Sequence, residues 1–231
     1  MSEAADKPVL LVAKGTFGAM GGGERDLMRV LPALNRLFSV RMATIHPVPD
    51  LNEICRREGI PLICPDQSWD LPTDSLSTVL DSGRSTASKA WSSCDGLAEA
   101  FSEADAVHLV SGDGSLPLLD HAPTELRIHL HLLEPHRGLY EDTLHRLVDG
   151  SPKRNLALTE GLLSRARRRD QAMMQSLVER PGSMVSSNSI FSAQRAKEAY
   201  GIDAGVLWPC VDISEFPADA SNDAGNPYLG T

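Results

Sequence analysis

Short apolar runs alternate with longer amphipathic ones along most of this chain. Residues 9–13 (Val-Leu-Leu-Val-Ala), bounded by Pro8 and Gly15, have the continuous apolarity of a buried parallel strand. Residues 24–37 place Leu27, Val30, Leu31, Leu34 and Leu37 at helical spacing, which predicts one apolar stripe on a polar helix. A second strand is expected over 40–45, completing a βαβ unit whose crossover should be right-handed. The alternation continues with a short helix over 52–59, a strand over 61–64, a helix over 87–103 and strands over 106–111 and 127–132. Helices are predicted over 138–148, 156–178 and 191–200, with strands over 184–187 and 205–208. Residues 67–84, rich in Asp, Ser, Thr, Pro and Gly, read mostly as loop. Strands separated by helices throughout predict an α/β fold, a doubly wound Rossmann-like parallel sheet covered on both faces.

From Pro217 onward the chain has little to bury, so residues 217–231 are expected to be a linker after a domain over 1–216. A chain that stops so soon after a linker suggests a further domain beyond it.

Composition narrows the function classes. Apolar residues make up 42% and charged residues 23%, the balance of a soluble globular domain, and the net charge of -9 disfavours non-specific nucleic-acid binding. Cys55, Cys64, Cys94 and Cys210 form no C-x-x-C pair and read as free thiols of a reducing compartment. With no signal-peptide pattern and no run of 18 apolar residues, the expected location is cytoplasmic.

The loop from Gly15 to Gly23 follows the first strand and opens the first helix, where backbone N–H groups and a helix N-terminus can meet a phosphate. Its spacing fits neither G-x-G-x-x-G nor the Walker pattern, and Ile45-His46-Pro47 stands where a dinucleotide enzyme would carry an acidic residue. A dehydrogenase or epimerase is therefore disfavoured, and a turn without a ligand is the plainer alternative.

Gly21-Gly22-Gly23-Glu24-Arg25 resembles the Gly-Gly-x-Glu-Arg opening of the retaining GT-B glycosyltransferases known as family 4, most of all mannosyltransferases with Gly-Gly-Gly-Glu-Arg. Glu134-Pro135-His136-Arg137 with Tyr140 is similar to a second segment of several members. Asn188-Ser189, Tyr200-Gly201 and Trp208-Pro209-Cys210-Val211-Asp212 with Phe216 are similar to the ending of their N-terminal domain. The resemblance implies the acceptor-side half of a GT-B fold. Such a half transfers a sugar from a nucleotide-diphosphate donor, without metal or other cofactor, at a cleft with its own C-terminal domain or a partner chain. The family's Glu-x7-Glu donor pair has no counterpart in this sequence, so this chain alone is expected to be inactive. The other reading is a non-catalytic binding or scaffold domain derived from such a half.

On this resemblance Gly21, Gly22 and Gly23 would contact donor phosphate, and Glu24, Arg25, Arg137, Tyr140 and Asn188 would lie toward the acceptor. Alternation puts His129 and His131 on one face of their strand, opposite Ile128, Leu130 and Leu132. Ligands gather beyond the carboxyl ends of parallel strands, which favours His131 as the catalytic candidate, against a hydrogen-bonded buried histidine. A metal site built from His129, His131, Glu134 and His136 lacks the usual ligand spacing, and no metal is expected. Arg165, Arg167, Arg168 and Arg169, preceded by Lys153 and Arg154, could dock on anionic lipid beside a lipid-linked acceptor; a solvated helix face is the alternative.

Overall fold

The computed structural model describes residues 7–72, 74–141 and 145–211. Among these are strands β1 (Val9–Lys14), β2 (Ser39–Ala43), β3 (Leu62–Ile63), β4 (Ala106–Val110), β5 (Ile128–Leu132), β6 (Met184–Ser187) and β7 (Gly205–Val206). The helices are α1 (Gly22–Leu37), α2 (Pro49–Glu58), α3 (Ser75–Leu80), α4 (Ser82–Ser92), α5 (Leu97–Glu103), α6 (Arg137–Tyr140), α7 (Leu156–Val178) and α8 (Ile190–Tyr200). The strands form one sheet in the order β3-β2-β1-β4-β5-β6-β7, parallel at every pairing. The fold is a doubly wound, Rossmann-like α/β sheet. Strand order reverses between β1 and β4, the topological switch point where ligands of such folds gather.

Alternation along β1 divides the core. Leu11 and Ala13 face a layer built from α4, α5, α7 and α8, represented by Trp91, Phe101, Met174 and Ala196. Leu10 and Val12 face Leu27, Met28 and Leu31 of α1 and Leu51 and Cys55 of α2. These two helices pack on the β3-to-β4 part of their face, and the first turn of α1 reaches Leu133 at the end of β5. Toward β6 and β7 on that side Met184 and Leu207 stay 61% and 49% exposed. The sheet is flanked by helices, as the alternation of strands and helices predicts.

Several elements differ from their sequence expectation. The polar stretch 67–84 holds α3 and the start of α4, because the Asp74 carboxylate accepts from the N–H groups of Leu76 and Ser77 and caps α3. The single helix expected over 87–103 is two, α4 and α5, broken before Gly96, whose φ of +80° suits glycine. Of the helix expected over 138–148, the described residues show the turn α6, and Arg146 forms an antiparallel bridge with Pro152; residues 142–144 lie outside the described residues. A 3-10 turn, Leu116–Asp120, follows the Gly-Asp-Gly turn. The linker expected over 217–231, and Asp212 and Phe216, lie outside the described residues. No helix among the described residues is long and apolar enough to cross a membrane.

Candidate functional site

The carboxyl end of β1 brings the first functional group into place, and it is one the sequence reading passed over. Lys14 shares a face with Leu10 and Val12, so its side chain enters beneath α1 and is 1% exposed. Its ammonium donates to the Ser111 carbonyl at 2.8 Å and lies 3.0 Å from the Glu24 carboxylate. The Ser111 hydroxyl in turn accepts from the Leu133 N–H at 2.8 Å. The ends of β1, β4 and β5 and the first turn of α1 are thereby tied together around one buried cation.

The glycine loop fits this arrangement residue by residue. Gly15 passes so close to the turn after β4 that an added Cβ would stand 2.2 Å from the Asp113 carbonyl oxygen. Its N–H donates to the Ser115 hydroxyl at 2.9 Å, and its carbonyl accepts from the Thr44 hydroxyl at 2.9 Å. Gly21 is the N-cap of α1 and offers no side-chain cap. Glu24, the third helical residue, turns its carboxylate back onto the Gly21 N–H, the glutamate half of a capping box. Gly23 lies against Leu133, whereas a Cβ on Gly22 would meet open space. The Gly22 and Gly23 N–H groups have no acceptor within the helix, so the positive end of α1 opens at the switch point.

Charge is balanced at this spot. Burial alone would raise the Glu24 carboxyl pKa. The Lys14 ammonium and the N–H groups of Glu24 and Gly21 outweigh that and hold it below the usual carboxylate value. Neutralised by Lys14, Glu24 presents little repulsion to an anion at the helix end.

His131 lies at the carboxyl end of β5 on the α1 side of the sheet, 6% exposed, while Ile128, Leu130 and Leu132 enter the opposite core. Its Nδ1 is 3.2 Å from the Ser186 hydroxyl. His129 reaches the same hydroxyl through Nε2 at 2.8 Å, and its Nδ1 lies 2.9 Å from Nδ1 of His108 on β4. Burial lowers the pKa of all three rings. Charges on His129 and His131 add to the effect at His108, which falls to about 3; Asp26 opposes it at His131 and Lys14 adds to it. His108 and Ser186 were not singled out in the sequence, because only strand register aligns His108 with His129 and His131 with Ser186.

The remaining candidates spread along the same edge of the sheet. Arg25 is exposed on α1, and Asn188 follows β6, with its side-chain carbonyl accepting from Ser189 at 3.3 Å. Arg137 is exposed and donates to Glu134 at 2.9 Å, one residue after His136, whose Nε2 is 3.9 Å from Asp113. Tyr140 turns inward: its hydroxyl and that of Tyr200 donate to Asp170 at 3.0 and 2.9 Å. Tyr140 thus braces the segment that carries Arg137. Among the described residues no group of three His, Cys, Asp or Glu side chains is placed to hold a metal ion. In the basic run, Arg167 donates to Glu160 and to the Leu139 carbonyl, and Arg169 pairs with Asp81 at 3.0 Å. A groove of about 720 Å³ lies away from the glycine loop, along the β6–β7 edge, lined by His129, Met184, Ser186, Val206 and Leu207.

Comparison with known proteins gives little beyond the fold. No protein-family model matches the chain, and no curated protein does. Among solved structures, the glycosyltransferase SnogD from Streptomyces nogalater is similar at 14% identity, with 90% of this chain and 52% of that one covered and a TM-score of 0.43. The 1-deoxy-D-xylulose 5-phosphate reductoisomerase of Zymomonas mobilis, in complex with NADPH, is similar at 14% identity, covering 81% and 42%, with a TM-score of 0.39. BdcA in complex with NADPH follows at 10% identity, covering 79% and 69%, with a TM-score of 0.34. The chain spans about half the length of the first two. At such scores the likeness carries no functional argument.

Proposed function

We propose that this chain is the acceptor-side half of a glycosyltransferase, holding the diphosphate of a nucleotide sugar against the open end of α1. The observation that carries this reading is the placement of Gly21, Gly22 and Gly23. They form the N-terminus of a long helix at the switch point of the sheet, with space in front of Gly22. A diphosphate there meets N–H dipoles already aimed, which suits stabilisation of a departing anion. The ordered resemblance of the glycine loop, the Glu134–Tyr140 segment and the Asn188 segment to family 4 supports a sugar nucleotide over a dinucleotide. In this reading His131 faces the reacting sugar, and Arg137 and Asn188 hold the acceptor, a carbohydrate or a lipid-linked one.

The test is a titration followed by amide NMR. UDP-, GDP-linked sugars and pyrophosphate should each shift the Gly22 and Gly23 amides, with NADPH leaving them in place. A response to NADPH alone would replace the reading with a dinucleotide enzyme. No response to any of them would favour a scaffold role.

A further inference from the structure

Three imidazoles and one hydroxyl form a single hydrogen-bonded chain across β4, β5 and β6: His131 Nδ1 to Ser186 Oγ at 3.2 Å, Ser186 Oγ to His129 Nε2 at 2.8 Å, and His129 Nδ1 to His108 Nδ1 at 2.9 Å. Each contact needs one proton between two heavy atoms. A neutral imidazole brings one N–H and a serine one O–H, so proton supply and contacts match in only two ways. In the first, His131 Nδ1–H donates to Ser186, whose hydroxyl donates to His129 Nε2, and His129 Nδ1–H donates to His108. His131 is then left with a bare Nε2. In the second, every bond is reversed and His131 carries its proton on Nε2.

We propose that this chain is a proton relay, in which the tautomer of His131 is set through Ser186 and His129 by His108 on the neighbouring strand, whose ring centroid lies 6.4 Å from that of His131. The proposal rests on His131 as the imidazole at the reacting end. When an acceptor hydroxyl gives its proton to His131 Nε2, the Nδ1 proton passes to Ser186 Oγ and the serine proton passes to His129 Nε2. The His129 Nδ1 proton then moves to His108 Nδ1, and His108 releases its Nε2 proton to water. Four groups exchange protons, no net charge is left inside, and the chain ends in its second polarity. Burial lowers the pKa of all three rings, which fits this role, since a ring that stayed doubly protonated would break the alternation. The His108 and His129 rings are 28° from coplanar with centroids 4.9 Å apart, which suits a hydrogen bond between their Nδ1 atoms. Ser186, 8% exposed, offers its hydroxyl to both β5 histidines.

The tautomers report the relay without any transfer assay. In the full chain labelled with 15N-histidine, long-range proton–nitrogen spectra should show His129 and His131 sharing one tautomer and His108 holding the other. His108→Phe should then shift the Nδ1–H to Nε2–H ratio at His131 by about tenfold, the contribution of one hydrogen bond. The same substitution in a Ser186→Ala background should leave that ratio unchanged, a double-mutant cycle read at a single ring. Three identical tautomers, or a His131 ratio indifferent to His108, would overturn the relay while leaving the glycine-loop titration untouched. Loss of the titration response with the tautomer pattern intact would remove the transferase reading, and with it the reaction the relay serves, while the coupling of the tautomers would stand.

Discussion

Lys14 and Glu24 form an ion pair of 3.0 Å at the switch point, with the lysine side chain 1% exposed and the glutamate 13%. The pair joins the last residue of β1 to the first turn of α1, and with the Ser111 carbonyl it holds the mouth of the site in one geometry. Lys14→Met would leave Glu24 partly buried without its cation and the Ser111 carbonyl without its donor. The expected cost is about 3 kcal/mol, toward the low end for a broken buried pair because Glu24 keeps the Gly21 N–H. For a domain of this size that lowers Tm by roughly 6–12 °C in calorimetry. Adding Glu24→Gln should recover part of the loss, and a double variant no more stable than Lys14→Met would mean the pair is not coupled.

The glycines should separate by geometry. Gly15→Ala places a Cβ 2.2 Å from the Asp113 carbonyl and 2.5 Å from the Gly114 carbonyl carbon, both backbone, so the two loops must part. A loss of more than about 3 kcal/mol, or failure to fold, is expected. Gly22→Ala meets open space at a helical position and should change stability by less than about 0.5 kcal/mol in urea unfolding. Equal costs at the two positions would contradict this account of the loop.

Tyr200→Phe and Tyr140→Phe each remove one donor from Asp170 while keeping the edge-to-face ring contact, whose centroids are 5.3 Å apart. Burial raises the Asp170 pKa above the usual carboxylate value, with the two tyrosine hydroxyls opposing it. Either variant should cost about 1.5–3 kcal/mol, the range for a hydrogen bond to a charged group, and should raise the Asp170 pKa further. Carboxyl carbon NMR through an acid titration measures the second effect; an Asp170 pKa that stays in place would show that the hydroxyls do not act on it.

Stability should fall on acidification in a window set by the histidines. The unfolded chain takes up a proton on each ring below about 6.5, while the folded His108 does so only near 3. The unfolded state therefore binds more protons between these values. Its advantage is absent above pH 6.5, grows as pH falls toward 3, and levels off below. His108 alone contributes a slope approaching 1.4 kcal/mol per pH unit, roughly, over the middle of that window. His108→Phe should flatten the curve of urea midpoint against pH between about 6.5 and 5; an unchanged slope would mean that His108 titrates normally in the folded chain.

Much of this molecule is written in local pattern. The apolar run of β1, the stripe of α1, the whole span of α7 and the glycines between β1 and α1 are short-range signals, because periodicity and turn chemistry act within a few residues. Alternation on β5 also placed His129 and His131 opposite Ile128, Leu130 and Leu132, as the core confirms. Local pattern failed where capping or a distant contact outweighed composition. Asp74 caps α3 inside a stretch that looks like loop, and Tyr140, the last residue of α6, donates to Asp170 on α7. Lys14 offered one sequence signal, a charge on the apolar side of a buried strand, but its partners Glu24 and Ser111 are set by folding. The same holds for His108, His129, His131 and Ser186. Residues as far apart as 21 and 57 positions meet there because parallel strands order by packing and register, and neither is encoded in any one segment.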